Sequence, residues 1–204
     1  FEAPKKNQLP RLIKYDDILG DFHVHSTWSD GSDSIEALVQ AALNRRYRFI
    51  GIADHSQSLR IANGLSEARV GKKIAEIRCL RKKYPKITLL AGTECDIKPD
   101  GTLDYTTRVL KQFDYVIIGV HTAFKMEKTK MTKRIVSAME NERVDILAHP
   151  TGRLLGKRDA YEVDVDDLID AAKRTQTRLE INAFPERLDL DDVHVKQAKE
   201  HGIQ

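Results

Sequence analysis

Short apolar runs alternate along the chain with longer segments of helical period. Each apolar run is followed by a stretch in which apolar residues recur at helical spacing, which is the pattern of a βα unit. Six such units predict an α/β protein built on a parallel sheet. The predicted strands cover residues 21–25, 49–54, 88–94, 115–121, 144–149 and 178–182. The predicted helices cover residues 34–45, 66–84, 104–112, 129–141, 164–175 and 190–201.

Chemically active side chains gather at the carboxyl ends of these strands. The first strand ends in HVH, which places His23 and His25 on one face because alternate residues of a strand point the same way. The later strand ends carry Asp54 and His55, Glu94, His121, His149, and finally Glu180 and Asn182. Strand ends of a βα barrel converge on one mouth, whereas those of an open sheet spread along an edge. The shared location therefore favours a barrel.

Five of the seven histidines lie at these strand ends, which indicates a metal centre. Imidazole nitrogen suits Zn, Mn, Fe or Ni, and a carboxylate such as that of Glu94 can bridge two ions. His194 and His201 lie in the terminal helix, and we expect them on a solvated face. Asp54 alternates away from His55, so we expect it to orient a ligand or cap a loop. Cys95 is expected to be a packed thiol.

Composition narrows the class of protein without naming a partner. The 204 residues are 41% hydrophobic and 32% charged, which suits one folded domain, and a formal charge of +3 does not indicate a nucleic-acid binder.

Cys79 and Cys95 form neither a disulfide framework nor a zinc motif, so a cytoplasmic location fits best. There is no signal peptide or bilayer-spanning run, hence no membrane partner is expected. No feature sets an oligomeric state. Residues 1–19 are predicted to be an interdomain linker arriving from elsewhere.

The order of short motifs resembles the PHP family, the polymerase and histidinol phosphatase domain. HVH and SDG are followed by ADHS, GTECDI, GVHT and AHPTGR. The resemblance implies a distorted TIM-like (β/α)7 barrel, here with about six βα units and the last strand missing. Residues 20–204 would then be a metal-dependent phosphoesterase domain that is incomplete at its C-terminus. The family's DxH motif is expected on that last strand; DDVH at 191–194 lies at a helix start and is not assigned to it.

The resemblance also implies a set of metal ligands. His23, His25 and Glu94 would hold one ion, and Glu94 with His121 and His149 a second. Asp30 and His55 would hold a third. The implied cofactors are two to three divalent ions, Mn²⁺ or Zn²⁺. Glu94 and His149 are the expected catalytic residues, with a metal-bridging hydroxide near them as the nucleophile.

Arginines in the loops after the strands are candidates for binding the phosphate, because guanidinium can donate two parallel hydrogen bonds to it. The candidate substrate-binding residues are Arg60, Arg153, Arg158, Arg187 and Asn182. Arg60 and Arg153 are preferred because each closely follows a ligand-bearing strand. The basic run FKMEKTKMTKR is a weaker candidate for contact with a nucleic-acid backbone. Trp28 and Phe124 are aromatic residues expected near the mouth.

Flanking segments resemble the C-terminal PHP domain of bacterial and archaeal family X DNA polymerases. They are LPRLIKYDDILGDFHVHSTWSDG, DHSQSLRIANGLSE, DILAHPTGRLLGKRD and LEINAFPERLDL. This resemblance implies a 3′-5′ exonuclease or 3′-phosphatase, with cleavage at abasic sites as a further activity. The parent protein would also be a DNA polymerase, and the partner would be DNA with gapped or 3′-recessed ends. Two other hypotheses stay open: a small-molecule phosphatase of histidinol-phosphate type, and a non-catalytic structural module.

Overall fold

Six parallel strands alternate with helices in the computed structural model, which describes residues 12–203. The strands are β1 (Gly20–Val24), β2 (Phe49–Ile52), β3 (Thr88–Asp96), β4 (Tyr115–Gly119), β5 (Ile146–Leu147) and β6 (Arg178–Leu179). The helices are α1 (Ile35–Asn44), α2 (Glu67–Lys83), α3 (Thr107–Leu110), α4 (Lys128–Met139), α5 (Val165–Thr175) and α6 (Asp192–Glu200). All six predicted strands and six predicted helices are present, which confirms the α/β prediction.

Strands β2 and β4 end two residues earlier than predicted, and the last two strands and one helix are much shorter than predicted. Strands β5 and β6 have two residues each, and α3 is a single turn. The chain leaves extended geometry soon after β5 because His149 takes a left-handed backbone conformation, with φ at 30°. After β6, Asn182 and Asp189 pair with each other in an antiparallel bridge, so the chain turns back on itself there.

Part of the predicted linker lies outside the described residues, as does Gln204. Its described portion begins at Leu12 and contains a short 3₁₀ turn, Tyr15–Asp17. Leu12, Ile13 and Tyr15 are largely exposed, so these side chains make little contact with the domain's core. The boundary at residue 20 coincides with the first residue of β1.

The strands follow one another in sequence order across a single curled sheet. Each neighbouring pair is parallel, and β3, the longest strand, pairs with β2 through its first half and with β4 through its second. The two edge strands, β1 and β6, face each other across a cavity of about 600 Å³ that both help to line. The sheet is therefore an open half-barrel, and its carboxyl ends lie around one mouth.

The Tyr115 side chain fills the inner face of the curled sheet. Its hydroxyl, on β4, donates a hydrogen bond to the Phe22 carbonyl on β1, and the two rings meet edge to face with centroids 5.5 Å apart. Gly51 and Gly92 lie on the intervening strands, where a Cβ atom would overlap the Tyr115 side chain. These glycines therefore let one aromatic residue cross the sheet from β4 to β1.

Helices cover the outer face of the sheet with a continuous apolar core. Its members include Ile35 and Val39 of α1, Val70, Ile74 and Ile77 of α2, Ile135 of α4 and Leu168 of α5. Helix α1 begins as its sequence suggests, with the Ser34 hydroxyl accepting a hydrogen bond from Ala37 N. Among residues 12–203, no helix has the length and apolar character needed to cross a bilayer.

We predict that Gly92→Ala destabilises the protein. The added methyl group would force the Tyr115 ring to move, and such overpacking costs roughly 1–3 kcal/mol. The matched control is Gly71→Ala in α2, where an added Cβ meets no atom within 4 Å. That change should raise stability by about 0.5–1 kcal/mol, since alanine favours a helix over glycine. Urea unfolding followed by circular dichroism measures both, and equal stability of the two variants would contradict the role given to Tyr115.

Candidate metal centre

The carboxylate of Glu94 lies at the centre of the mouth. Glu94 is near the end of β3 and is 1% exposed. Its Oε2 atom faces three imidazoles from the ends of β1 and β2: His23 Nε2 at 3.1 Å, His25 Nε2 at 3.4 Å and His55 Nδ1 at 3.1 Å. Alternation along β1 gives His23 and His25 their common direction.

The other oxygen of Glu94 faces two imidazoles that follow the later strands β4 and β5. His121 Nε2, just after β4, is 3.0 Å from Oε1, and His149 Nε2, just after β5, is 2.8 Å from it. The left-handed conformation of His149 turns its side chain back over the mouth. All five histidines predicted from the strand ends thus meet at one carboxylate.

Asp30 approaches the cluster from the rim. Its Oδ1 is 3.3 Å from His25 Nδ1, and its Oδ2 is 3.7 Å from His55 Nε2. The turn that carries it is closed by the Gly31 N–H, which donates to the Ser26 carbonyl. A Cβ at Gly31 would overlap the backbone of His25. The glycine of SDG is therefore what allows the chain to fold back close enough for Asp30 to reach the mouth.

Two further carboxylates orient the histidine rings. Glu180 Oε1 is 2.6 Å from His23 Nδ1, and Glu180 Oε2 accepts a hydrogen bond from the His149 backbone N–H at 2.7 Å. Asp96 Oδ1 is 2.5 Å from His121 Nδ1. Such partners fix the ring so that its other nitrogen faces the centre. Glu180 was predicted at the mouth from its strand end, without this role; Asp96 was not predicted for the site, although its spacing of two places it on the same strand face as Glu94.

The cluster is strongly coupled electrostatically. Burial would lower the pKa of His23 and His121, but Glu94 outweighs it together with Glu180 at His23 and with Asp96 at His121, so the pKa of His23 rises and that of His121 rises to about 9. Burial does lower the pKa of His149, and it lowers that of His55 to about 4. Burial would raise the pKa of Glu94, but His23 and His121 hold it well below its usual range. The protein thus keeps a buried carboxylate charged among histidines of mixed protonation.

The donor set fits divalent metal ions. Three groups of ligand atoms each lie within 4.8 Å of one another: His23, His25 and Glu94; His25, Asp30 and His55; and His55, Glu94 and His121. The first group coincides with a predicted trio. The second adds His25 to the predicted pair, and the third has His55 where His149 was expected. His25 Nδ1 and His55 Nδ1 are buried and lie within 3.3 Å of a carboxylate oxygen, yet neither makes a well-formed hydrogen bond to a described residue, which suits nitrogens that ligate an ion.

A family model described as the PHP domain matches residues 21–184 of the chain. The chain belongs to the PHP family. It is 46% identical over 192 residues to the DNA polymerase/3′-5′ exonuclease PolX of Bacillus subtilis (strain 168), covering 94% of this chain and 34% of the relative. It is 27% identical over 168 residues to a protein named "Probable phosphatase" from Shewanella sediminis (strain HAW-EB3), covering 80% of this chain and 63% of the relative. The chain thus spans about a third of the length of the Bacillus protein and less than two thirds of the length of the Shewanella protein.

A solved structure shares the fold of this PHP domain. Histidinol phosphate phosphatase from Lactococcus lactis subsp. lactis Il1403, crystallised with Zn, L-histidinol and phosphate, superposes with a TM-score of 0.65 at 17% identity. The match covers 90% of this chain and 82% of that one. Together with the curled six-stranded sheet, it confirms the PHP-type barrel predicted from the sequence.

The cluster of five histidines around Glu94 opens into a cavity of about 1000 Å³. Of the four arginines predicted to bind phosphate, Arg187 lines this cavity. Its Nη1 atom is buried and has no hydrogen-bond partner among the described residues. Its positive charge also reaches His149, because it contributes, after burial, to lowering the pKa of that histidine. Arg187 is thus placed to meet an anion at the cluster.

The other three arginines are placed differently. Arg153 donates from Nε to the Arg187 carbonyl at 2.9 Å, and Arg158 donates from Nη2 to the Gly152 carbonyl at 2.7 Å. Both therefore brace loops around the mouth. Arg60, one of the two preferred candidates, is exposed on a 3₁₀ turn and does not line the cavity. Sequence distance from a strand end could not reveal which way these side chains turn.

Asn182 lines the cavity, but its side chain is engaged within its own loop. Its Nδ2 donates to Glu180 Oε2 at 3.2 Å, and its Oδ1 accepts from the Phe184 N–H at 3.1 Å. The amide therefore supports the position of Glu180, which in turn orients His23. In the basic run, Lys128 is paired with Asp164 at 2.7 Å, so this charge is partly balanced on the surface.

The residues that the sequence analysis did not assign as metal ligands lie outside the cluster. Asp191 caps α6 by accepting from His194 N at 3.0 Å, and the His194 ring contacts the same carboxylate at 2.8 Å. The His201 ring contacts the Gln197 carbonyl, and Cys95 is fully buried. DDVH is thus the start of a helix, as its sequence context suggested.

A buried ion pair lies beneath the histidine cluster. Asp54 Oδ2 is 2.8 Å from Lys73 Nζ, and both side chains are almost completely excluded from solvent. Lys73, on α2, also donates to the carbonyls of Ile52 and Gly92 at 3.0 Å each. Asp54 accepts from Ser26 N at 2.7 Å, at the start of the turn that carries Asp30. Asp54 therefore orients the turn that carries Asp30, which is the kind of supporting role expected from the sequence.

We predict that Lys73→Met destabilises the fold strongly. Losing the ammonium would leave the Asp54 carboxylate buried without its counter-charge, which costs about 3–5 kcal/mol. The matched control is Lys83→Met on the same helix, whose partner Glu36 lies at the surface, 2.6 Å away. Exposed pairs contribute only about 0–1 kcal/mol. Chemical denaturation of both variants measures the difference, and a loss below about 1 kcal/mol in Lys73→Met would refute the structural importance of this pair.

Proposed function

We propose that this PHP domain is a metal-dependent phosphoesterase. The observation that carries the proposal is the buried Glu94 carboxylate with five imidazole nitrogens 2.8–3.4 Å from its oxygens. Two to three divalent ions, Mn²⁺ or Zn²⁺, would supply charge neutralisation for the phosphoryl oxygens and an acidified water for hydrolysis. The phosphatase names of the Shewanella and Lactococcus proteins support this reaction class.

The chain's own residues would divide this work by position. The proposed metal ligands are His23, His25, Asp30, His55, Glu94, His121 and His149. Glu94 and His149 are the proposed catalytic residues, because they meet in the buried floor of the cavity where the scissile phosphate would lie. Glu180 and Asp96 hold the rings of His23 and His121 in place. Arg187 would donate hydrogen bonds to the phosphate from the cavity wall.

We further propose that the phosphate belongs to a DNA end. The 46% identity to the Bacillus PolX protein, which is named as a polymerase and 3′-5′ exonuclease, supports this assignment over 94% of the chain. The activity would be that of a 3′-5′ exonuclease or 3′-phosphatase, with cleavage at abasic sites as an extension. Gapped or 3′-recessed DNA would reach the site through a parent DNA polymerase.

A small-molecule phosphatase is the second candidate function. The fold shared with the Lactococcus enzyme, which was crystallised with L-histidinol and phosphate, favours it. The two functions differ in what surrounds the phosphate rather than in the metal cluster. A non-catalytic structural domain is the third outcome that an activity measurement must separate from these.

The test is hydrolysis by the metal-loaded protein of a 3′-recessed DNA duplex, a 3′-phosphorylated duplex and histidinol phosphate. We expect Mn²⁺-dependent release of nucleotides or phosphate from the DNA, and no comparable turnover of histidinol phosphate. Glu94→Ala and His149→Ala should each reduce the rate by more than about a hundredfold, since even the loss of a ligand's orienting partner costs 10–100-fold. Metal content measured by mass spectrometry shows whether each variant has lost its ions.

Each alternative gives a different result in that experiment. Turnover of histidinol phosphate without attack on DNA would replace the proposed substrate by the small-molecule class. Bound metal without hydrolysis of any of the three compounds would identify a non-catalytic domain. Activity that survives in Glu94→Ala would show that the reaction occurs somewhere else on the protein.

We predict that Arg187→Ala lowers kcat/KM for DNA ends by roughly 10- to 150-fold, the range expected for one hydrogen bond to a charged group. Arg187→Lys should recover part of the loss, because it keeps the charge but not the planar pair of donors. The matched control is Arg174→Ala, whose side chain pairs with Glu140 at an exposed site. Steady-state kinetics at saturating Mn²⁺ provide the measurement. An equal loss in both variants would exclude a specific phosphate contact at Arg187.

A further inference from the structure

The rim of the metal cavity carries an exposed aromatic ring. Phe184 is 59% exposed and lines the same cavity as the histidine cluster, next to Ile181, which is 61% exposed. Large apolar side chains at the mouth of a charged cavity lose the stabilisation that burial would give them. A ligand that covers the ring would restore it.

The aromatic residues predicted near the mouth are already engaged by the protein. Trp28 is half-buried and donates from Nε1 to Glu76 Oε2 at 2.8 Å. Phe124 stacks on Tyr161 with centroids 6.3 Å apart, and the guanidinium of Arg158 lies 4.1 Å above its ring. Phe184 differs from both because most of its surface remains open to solvent at the cavity.

The backbone that presents Phe184 is held on both sides. The Phe184 N–H donates to Asn182 Oδ1 at 3.1 Å, and the Phe184 carbonyl accepts from Arg187 N at 2.7 Å. The loop is closed by the bridge between Asn182 and Asp189, and the carboxylate of Asp189 is buried, where it accepts from Gly152 N at 2.9 Å. The ring is thus displayed by a braced loop, so little backbone freedom is lost when a ligand packs on it.

Phe184 and Arg187 together present two kinds of contact on one turn. The apolar ring of Phe184 lies three residues from the Arg187 guanidinium, and both line the cavity. One buried nitrogen of that guanidinium has no hydrogen-bond partner within residues 12–203. A nucleotide has the matching pair of groups, a flat base and a phosphate joined by a sugar. Aliphatic phosphates have no flat group for the ring, and the imidazole of histidinol phosphate offers a smaller flat face than a nucleotide base. Base–aromatic stacking tolerates every base because each has a π face.

We infer that Phe184 stacks on the base of the nucleotide whose phosphate enters the metal cavity, which adds a contact to the base to the phosphate contact proposed for Arg187. The inference rests on the proposed function and specifies its substrate. The ring would act on binding and orientation, with the bond cleavage left to the cluster. Selection would be for the presence of a base and would be tolerant of its identity.

The test removes the base from the substrate and the ring from the protein in turn. Two 3′-recessed duplexes are compared with the Mn²⁺-loaded protein: one ends in an ordinary nucleotide, and the other ends in a tetrahydrofuran abasic analogue of the same length. The proteins are the wild type, Phe184→Ala, Phe184→Trp and the control Ile61→Ala, whose side chain is 96% exposed outside the cavity. The readout is the ratio of kcat/KM for the two duplexes.

We expect the wild type to prefer the base-bearing end, and Phe184→Ala to reduce that preference by roughly 5- to 150-fold. Phe184→Trp should keep the preference, because the larger ring also stacks, and Ile61→Ala should match the wild type. A uniform loss on both duplexes in Phe184→Ala, or an unchanged ratio, would overturn the inference. Equal hydrolysis of both duplexes by the wild type would overturn it while leaving the proposed function intact. No hydrolysis of either duplex by the wild type would overturn the inference together with the assignment to DNA ends on which it rests.

Discussion

The burial of one carboxylate, that of Glu94, determines much of the rest of the structure. An anion can be kept out of water only when positive or hydrogen-bonding groups face it closely. Here the facing groups are five imidazoles supplied by the ends of four different strands. They reach one point only because the sheet is curled, and the Tyr115 side chain spans that curl from β4 to β1. The cluster and the barrel-like shape therefore require each other.

A second layer of charge fixes what the first layer leaves free. An imidazole at a strand end can still rotate about its side-chain bonds, and Glu180 and Asp96 restrict that rotation for His23 and His121. Below them, the pair of Asp54 and Lys73 ties α2 to the end of β2, to the middle of β3 and to the turn after β1. Because each of these groups is buried, removing one partner leaves the other buried without a hydrogen bond or counter-charge, which destabilises the fold. The site is thus supported by electrostatics as well as by packing.

Sequence reasoning was accurate where local periodicity decides the outcome. Strand alternation gave His23 and His25 a common face, and the six strand ends located the cluster. It was less accurate where tertiary contacts decide. The arginines after strand ends could not be ranked, because the directions of Arg153 and Arg158 depend on carbonyls of distant loops. The role of Glu180 depends on the curl that brings β6 to β1, which no local pattern encodes.

Two parts of the mouth are held in place independently. The strand ends position the histidine cluster, and the loops position the side chains around it. The cluster is fixed by strands whose register leaves little room for change, so under the proposed function its chemistry would be common to any phosphate ester that can reach it. The loop from Asn182 to Asp189 is fixed instead by its own hydrogen bonds and by Arg153, while its apolar and cationic side chains face the cavity. Side chains there can differ between related proteins without disturbing the cluster. Under the proposed function, substrate choice would therefore depend on that loop, with the exposed Phe184 and the half-buried Arg187 as the contacts.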